Sequence, residues 1–109
     1  MVKVIKVEHC NLIVCIIEEG KADKVVKAAL EKGADGATIF NATGTGVRQK
    51  LQKIESLINP EKEIIFIVTK ANRTEEVFNA MVSAGGLDSP GKGFIYVQKV
   101  EKAVGFLKD

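Results

Sequence analysis

Two apolar stretches of similar composition divide the chain into halves. Residues 12–17 and residues 63–68 are rich in isoleucine and valine, and both stretches are short. β-Branched residues pack well in a pleated sheet, so each stretch predicts a buried strand. Apolar residues with the spacing of one helix face follow each stretch: Ala22, Val25, Val26, Ala29 and Leu30 in the first half, and Val77, Phe78, Met81 and Val82 in the second.

Glycines mark the predicted ends of both helices. Gly33 follows the first helix, and residues 85 and 86, both glycine, follow the second. Glycine readily adopts the left-handed conformation in which many helices end. Asn72 is predicted to begin the second helix, with Glu75 three residues later as its capping-box partner.

Each helix is followed by another β-type stretch, at residues 36–40 and 94–97. Strand, helix and strand therefore occur twice in succession. This order predicts an α+β sandwich with the ferredoxin-like βαββαβ fold, in which two helices cover one face of an antiparallel four-stranded sheet. Residues 2–7 either extend the first strand or add an edge strand. Residues 100–107 form a compact tail in which Val100, Ala103, Val104 and Leu107 have helical spacing.

Both faces of the two central strands are apolar. In residues 12–17, the even-numbered and the odd-numbered positions are all apolar, and residues 64–68 show the same pattern. A sheet with one face in water should alternate apolar and polar residues. A monomer would expose an apolar patch too large for a soluble protein. We therefore expect a second copy of the chain to cover the face that lacks helices.

Composition and charge indicate one globular domain with no general attraction to polyanions. The 109 residues are 46% apolar and 28% charged, and the net charge is +2. This balance argues against nucleic acid and acidic membranes as partners. No apolar stretch approaches the ~18 residues of a membrane span, and the start of the chain lacks a signal-peptide pattern. The expected location is the cytoplasm, with no membrane insertion.

The cysteines fit that location. An extended strand would separate Cys10 and Cys15 by roughly 16 Å, beyond the reach of a disulfide, and two free thiols fit a reducing compartment. His9 precedes Cys10, but no further ligands lie nearby, so packing is favoured and no metal site is predicted.

Catalysis has little support in the sequence. The chain has one histidine and no serine–histidine–aspartate set. A phosphate loop of the acylphosphatase type would fall at residues 18–20, which are acidic. The chain is therefore not expected to be an enzyme.

Two glycine-bracketed basic turns, at residues 44–50 and 91–93, are the candidate binding elements. Successive backbone N–H groups in such turns can hold an anion. No acidic residue occurs between Asn41 and Ile54, whereas Arg48, Lys50 and Lys53 do. A plain surface turn would explain either segment equally well.

In their order and spacing, these residues resemble the PII family of nitrogen-regulatory signal-transduction proteins. The resemblance covers about residues 12–104 and is carried by residues 36–39, 44–50 and 91–97 and by Val100-Glu101. It implies a homotrimer of ferredoxin-like subunits with their sheets turned inward. Residues 1–109 would form a single PII-like domain with an N-terminal extension (1–10), a T-loop-like segment (44–62) and a C-terminal tail (98–109).

The resemblance also implies a ligand and a partner. An adenine nucleotide (ATP, ADP or AMP) or a related anionic effector would bind in clefts between subunits. The segment 44–62 would then control a target protein, a transporter or a metabolic enzyme. The implied ligand-binding residues are Thr38, Gly44, Gly46, Arg48, Gln49, Lys50, Gly91, Lys92 and Gly93.

The chain departs from the family pattern in several places. Val47 is inserted before Arg48, and Lys92 precedes a glycine instead of the strand. Gly105 and Leu107 replace phosphate-binding arginines of the tail, so we expect weaker triphosphate binding. Residues 51–61 contain no tyrosine for uridylylation. Their apolar residues have helical spacing, which fits either core packing or a partner-docking helix.

Two alternatives remain at this point. The first is a trimeric protein of the divalent-cation-tolerance type, which shares the fold and the assembly but has a metal-linked role. His9 and Cys10 would be its only obvious ligands. The second is a trimeric scaffold with a degenerate cleft.

Overall fold

A computed structural model describes residues 2–4, 10–43, 61–104 and 106–108. A short 3₁₀ turn, Ala71–Arg73, precedes the second helix. The strands and helices in these residues are β1 (Val2–Val4), β2 (Cys10–Glu18), α1 (Ala22–Glu31), β3 (Thr38–Thr43), β4 (Glu61–Lys70), α2 (Thr74–Gly85), β5 (Gly93–Lys99) and β6 (Phe106–Lys108).

The main sheet has four antiparallel strands in the order β3-β4-β2-β5. Its longest ladder joins β2 to β4, from Cys10↔Lys70 to Glu18↔Lys62. Two βαβ halves joined in this order form the ferredoxin-like arrangement, so the predicted α+β fold is confirmed. β3 starts at Thr38, two residues later than predicted, and β2 starts at Cys10, two residues earlier.

One face of the sheet packs against both helices and forms the core. Fully buried sheet residues meet fully buried helix residues there: Ile13, Cys15, Ile17, Ile65 and Ile67 from β2 and β4, and Ala22, Val25, Ala29, Val77 and Met81 from α1 and α2. Each buried aliphatic side chain contributes about 1.5–3 kcal/mol relative to an exposed one. Burial on this face therefore holds the monomer together.

In the described residues, the opposite face of the sheet carries no helix. We call it the open face. Its apolar residues are Leu12, Val14, Ile16, Phe40, Ile64, Phe66, Val68, Phe94 and Tyr96. Phe40 packs edge-on against Phe66 with ring centroids 5.2 Å apart, and Phe94 lies 5.6 Å from Tyr96. Three of these rings are well exposed: Phe40 (41%), Phe66 (39%) and Phe94 (62%).

The helix ends confirm one prediction and correct another. Gly33 (φ 108°) and Gly86 (φ 62°) follow α1 and α2 with positive φ, as predicted. The predicted Asn72–Glu75 capping box is wrong, because α2 begins at Thr74 and its N-cap residue, Arg73, makes no side-chain cap.

A tertiary hydrogen-bond network explains where α2 begins. Asn11 Nδ2 donates to Thr74 Oγ1 (3.0 Å), and the Thr69 and Thr74 hydroxyls share a hydrogen bond of 2.7 Å. Thr74 Oγ1 also donates to the carbonyl oxygen of Lys70 (3.1 Å). These contacts hold the first turn of α2 through residues outside the helix. The start of α2 therefore does not depend on a capping box.

The C-terminal tail also differs from its prediction. Residues 106–108 form strand β6, and they pair with β1 from Val2↔Lys108 to Val4↔Phe106. The helical spacing of the tail therefore does not correspond to a helix in its described residues. β1 neither extends β2 nor joins the main sheet, since β1 and β6 form a separate two-stranded sheet. The two strands come from opposite ends of the chain, so no local pattern could reveal their pairing.

Candidate functional site

Four of the nine predicted ligand-binding residues lie in the described part of the chain. Thr38 begins β3, and Gly91, Lys92 and Gly93 form the turn that leads into β5. The other five lie outside the described residues: Gly44, Gly46, Arg48, Gln49 and Lys50. The segment 51–60, for which core packing and a partner-docking helix were the two alternatives, also lies outside them.

The two candidate loops leave the same end of the sheet. β3 ends at Thr43, which pairs with Glu61 at the start of β4. β5 starts at Gly93, which pairs with Ile17 near the end of β2. Segment 44–60 and the turn 91–93 therefore both connect to the end of the sheet where β2 finishes.

The same loops belong to opposite edges of the sheet. β3 and β5 are its two outer strands, with β4 and β2 between them. Three strand spacings separate the outer strands by about 14 Å. Thr38, moreover, aligns across the sheet with Tyr96, three residues into β5. One subunit therefore does not bring Thr38 together with the turn 91–93.

Close packing requires glycine at position 93, the second glycine of the turn before β5. Gly91 has φ 77° and Gly93 has φ 148°. A Cβ on Gly93 would overlap the carbonyl oxygen of Ile16 and would lie 2.9 Å from Leu87 Cδ2. β5 thus approaches β2 too closely for a larger residue. Lys92 beside it is exposed.

Carboxylates surround this end of the sheet in the described residues. Four glutamates lie there: Glu18, Glu19, Glu61 and Glu63. Three lysines lie near them in the described residues: Lys21, Lys62 and Lys92. An anion bound at this end would therefore need the positive charge of Arg48 and Lys50, whose positions the structure does not describe.

Glu63 fills the anion position of the turn between β2 and α1. Its Oε1 accepts hydrogen bonds from the backbone N–H groups of Gly20 (2.7 Å) and Ala22 (3.0 Å). In a phosphate-binding loop at this position, a substrate phosphate would take those donors. In this chain its own carboxylate takes them. The sequence offered no signal for this contact, because residues 20 and 63 lie far apart along the chain.

Both cysteines are buried, and neither forms a disulfide. Burial raises the pKa of the Cys15 thiol to about 11 and also raises the pKa of Cys10. Both thiols therefore stay protonated at neutral pH, and a protonated thiol is a poor nucleophile and a poor metal ligand. Within the described ranges, no group of three or more His, Cys, Asp or Glu side chains could hold a metal ion. His9 lies outside those ranges.

The architecture defines a class of protein, a small ferredoxin-like α+β domain. A long connection joins its strands β3 and β4, and a glycine turn precedes β5, the last strand of the main sheet. The chain belongs to the nitrogen regulatory protein P-II family, whose model matches residues 10–108. It is therefore a PII-like regulatory protein.

Solved structures agree on the fold. The crystal structure of Arabidopsis thaliana PII bound to citrate is similar to this chain, with a TM-score of 0.65 and 21% sequence identity. The match covers 86% of this chain and 79% of the Arabidopsis chain. At this identity the likeness shows a shared fold. Among the described residues, neither helix is long and apolar enough to cross a membrane.

Proposed function

We propose that this protein is a cytoplasmic, homotrimeric PII-like regulator. It binds an adenine nucleotide or a related anionic effector in clefts between subunits. Through residues 44–62 it controls a target protein, a transporter or a metabolic enzyme.

The observation that carries the proposal is the placement of the two loops, at one end of the sheet but on opposite edges. In a closed ring of identical subunits, each interface joins two different surfaces of the chain. Placing the β3 edge of one subunit beside the β5 edge of the next brings Thr43 and Glu61, which flank segment 44–60, toward a neighbour's turn 91–93. The ligand site is complete only in such an assembly.

The open face supports the trimer. A continuous apolar band crosses all four strands of that face, and its two aromatic pairs lie toward the two edges, Phe40–Phe66 near β3 and Phe94–Tyr96 on β5. Removing apolar surface from water contributes about 25 cal/mol per Å², which opposes the entropy lost on association. Sheets turned inward around a threefold axis would remove this band from water.

Charge supports an anionic effector. Arg48 and Lys50 of one subunit would face Lys92 of its neighbour, and a phosphate or carboxylate between them would accept charge-assisted hydrogen bonds. The Arabidopsis PII bound to citrate shows that a fold of this kind accommodates a polyanion. Because four glutamates also lie at this end, the cations of segment 44–50 carry most of the attraction.

The metal-linked alternative has less support. Cys10 is buried, and the raised pKa of its thiol disfavours the thiolate that a metal would need.

Calorimetric titration with ATP, ADP, AMP and citrate tests the ligand. We expect saturable binding, and a bound effector should stabilise the trimer by about 2.7 kcal/mol at a hundredfold excess over the dissociation constant. Lys92→Ala and Arg48→Ala should each weaken binding. Lys24→Ala, which changes an exposed residue of α1, should not. Absence of heat and an unchanged Tm at millimolar ligand would indicate a scaffold with an empty cleft.

The regulatory role needs a responsive segment. We expect the effector to change the protease sensitivity or hydrogen exchange of residues 51–61. If exchange in that segment is identical with and without effector, the signalling role is contradicted even where binding occurs.

A further inference from the structure

The first turn of α1 is held by a side chain from another strand. Its N-cap residue, Lys21, makes no side-chain cap. Instead, one carboxylate oxygen of half-buried Glu63 accepts from the N–H groups of Gly20 (2.7 Å) and Ala22 (3.0 Å). A carboxylate at a helix N-terminus interacts favourably with the helix dipole, and ionised acceptors form the stronger hydrogen bonds.

Further contacts join the same two regions. The backbone N–H of Glu19 donates to the carbonyl oxygen of Glu61 (3.3 Å). Thr43 Oγ1 donates to Glu61 Oε1 at the longer distance of 3.5 Å. Glu61 therefore contacts both the turn before α1 and the last residue of β3, and Glu63 contacts the same turn.

We propose that Glu63 is an intramolecular carboxylate ligand that couples the first turn of α1 to the start of β4. Residues 61–63 directly follow segment 44–60 in the chain. A displacement of residues 61–63 would therefore be transmitted through Glu63 to the first turn of α1. The regulatory meaning of this coupling rests on the proposed function, in which an effector acts on residues 44–62. The coupling itself is a property of the ligand-free protein.

Hydrogen exchange of the ligand-free protein tests the proposal. In Glu63→Ala, the amides of Gly20 and Ala22 lose their acceptor, and we expect them to exchange about tenfold faster. Amides of residues 61–64 should accelerate with them. Glu63→Gln keeps an oxygen acceptor without the charge, so it should give intermediate rates. Glu101→Ala, which removes an exposed glutamate elsewhere, should change neither set.

Chemical rescue supplies a second readout. Formate added to Glu63→Ala should slow exchange at Gly20 and Ala22 again, because a free carboxylate can occupy the vacated position. Formate should have no such effect on the unmodified protein, in which Glu63 already occupies it.

Three results would overturn the inference. Unchanged exchange at Gly20 and Ala22 in Glu63→Ala would show that the carboxylate is not their ligand. Acceleration at those two amides alone, with residues 61–64 unaffected, would make Glu63 a simple helix cap without coupling. If Glu63→Ala does not fold, Glu63→Gln takes its place, and wild-type rates there would contradict a charged ligand. Because no effector is present, failure of effector binding would leave these results unaffected.

Discussion

Phe66 and Ile67 are neighbours in β4, yet they belong to two different environments. Ile67 points toward the helices and is fully buried, whereas Phe66 lies on the open face and is 39% exposed. Both are large apolar residues, so their chemistry does not distinguish the two faces. The difference lies in what covers them: both helices cover one face, and in the described residues no helix covers the other.

This contrast separates folding from assembly. Burial on the helix face is complete within one subunit, so its contribution to stability should not depend on protein concentration. In the proposed trimer, burial on the open face comes from other subunits, so its contribution should appear only when subunits associate.

The largest expected effect is on the helix face. Ile67→Ala should lower the free energy of unfolding by about 2–5 kcal/mol, because it removes buried methyl groups and leaves a cavity. Denaturant unfolding at two protein concentrations should show the same loss at both. A loss that grows on dilution would place Ile67 in the subunit interface and contradict the assignment of the faces.

The buried thiol of Cys15, on the same face, should make the free energy of unfolding fall at alkaline pH. Its pKa rises from 9.0 to about 11 on folding, so between these values the native state binds more protons than the unfolded chain. Its thiol therefore costs no stability below pH 9, and stability falls as pH rises toward 11, by about 2–3 kcal/mol in total.

Urea unfolding at pH 8 and pH 10.5 measures this effect. Cys15→Val has no thiol to ionise and should lose less stability over the same interval. Equal losses in both proteins would show that ionisation of this thiol is not resisted by burial.

Two glycines near the starts of the outer strands give a matched pair: Gly93 begins β5, and Gly36 lies two residues before β3. Gly93→Ala should destabilise the fold by about 1–3 kcal/mol, because the new Cβ overlaps the Ile16 carbonyl oxygen. Gly36→Ala places its Cβ in open space and should be neutral or slightly stabilising. Thermal melts of both variants check this, and equal melting temperatures would remove the packing explanation for Gly93.

The smallest effect is expected on the outer surface of α2. Arg73 and Glu76 form an ion pair at 3.5 Å, with 53% and 56% of their side chains exposed. Solvent screens such pairs, so Glu76→Ala should change the free energy of unfolding by no more than about 0.5 kcal/mol. Urea unfolding at low salt measures the change, and a loss above 1 kcal/mol would mean that this surface contributes to folding or assembly.

Much of the fold was predictable from the sequence because its signals are local. Stretches of isoleucine and valine gave the central strands, and the 3.6-residue spacing of apolar residues gave both helices. Several contacts that prediction missed are long-range. The pairing of β1 with β6, the Asn11–Thr74 hydrogen bond and the Glu63 cap each join residues far apart along the chain.

The candidate site was less predictable for a related reason. The glycine turn at residues 91–93 is present, but the structure shows that Gly93 is also needed for packing. The cluster of glutamates at the same end becomes apparent only when β2 and β4 are paired. Whether residues 44–50 complete an anion site stays a prediction, because they lie outside the described residues.

The mass of the particle in solution, measured by sedimentation equilibrium, tests the account most directly. We predict a stable species of three times 11.8 kDa at micromolar concentration. Phe66→Lys places a charge on the open face and should give a folded species with the mass of one chain, since burying an unpaired charge is costly. Asn79→Lys, on the exposed side of α2, should remain trimeric. A monomeric wild-type protein, or a Phe66→Lys trimer, would contradict the account.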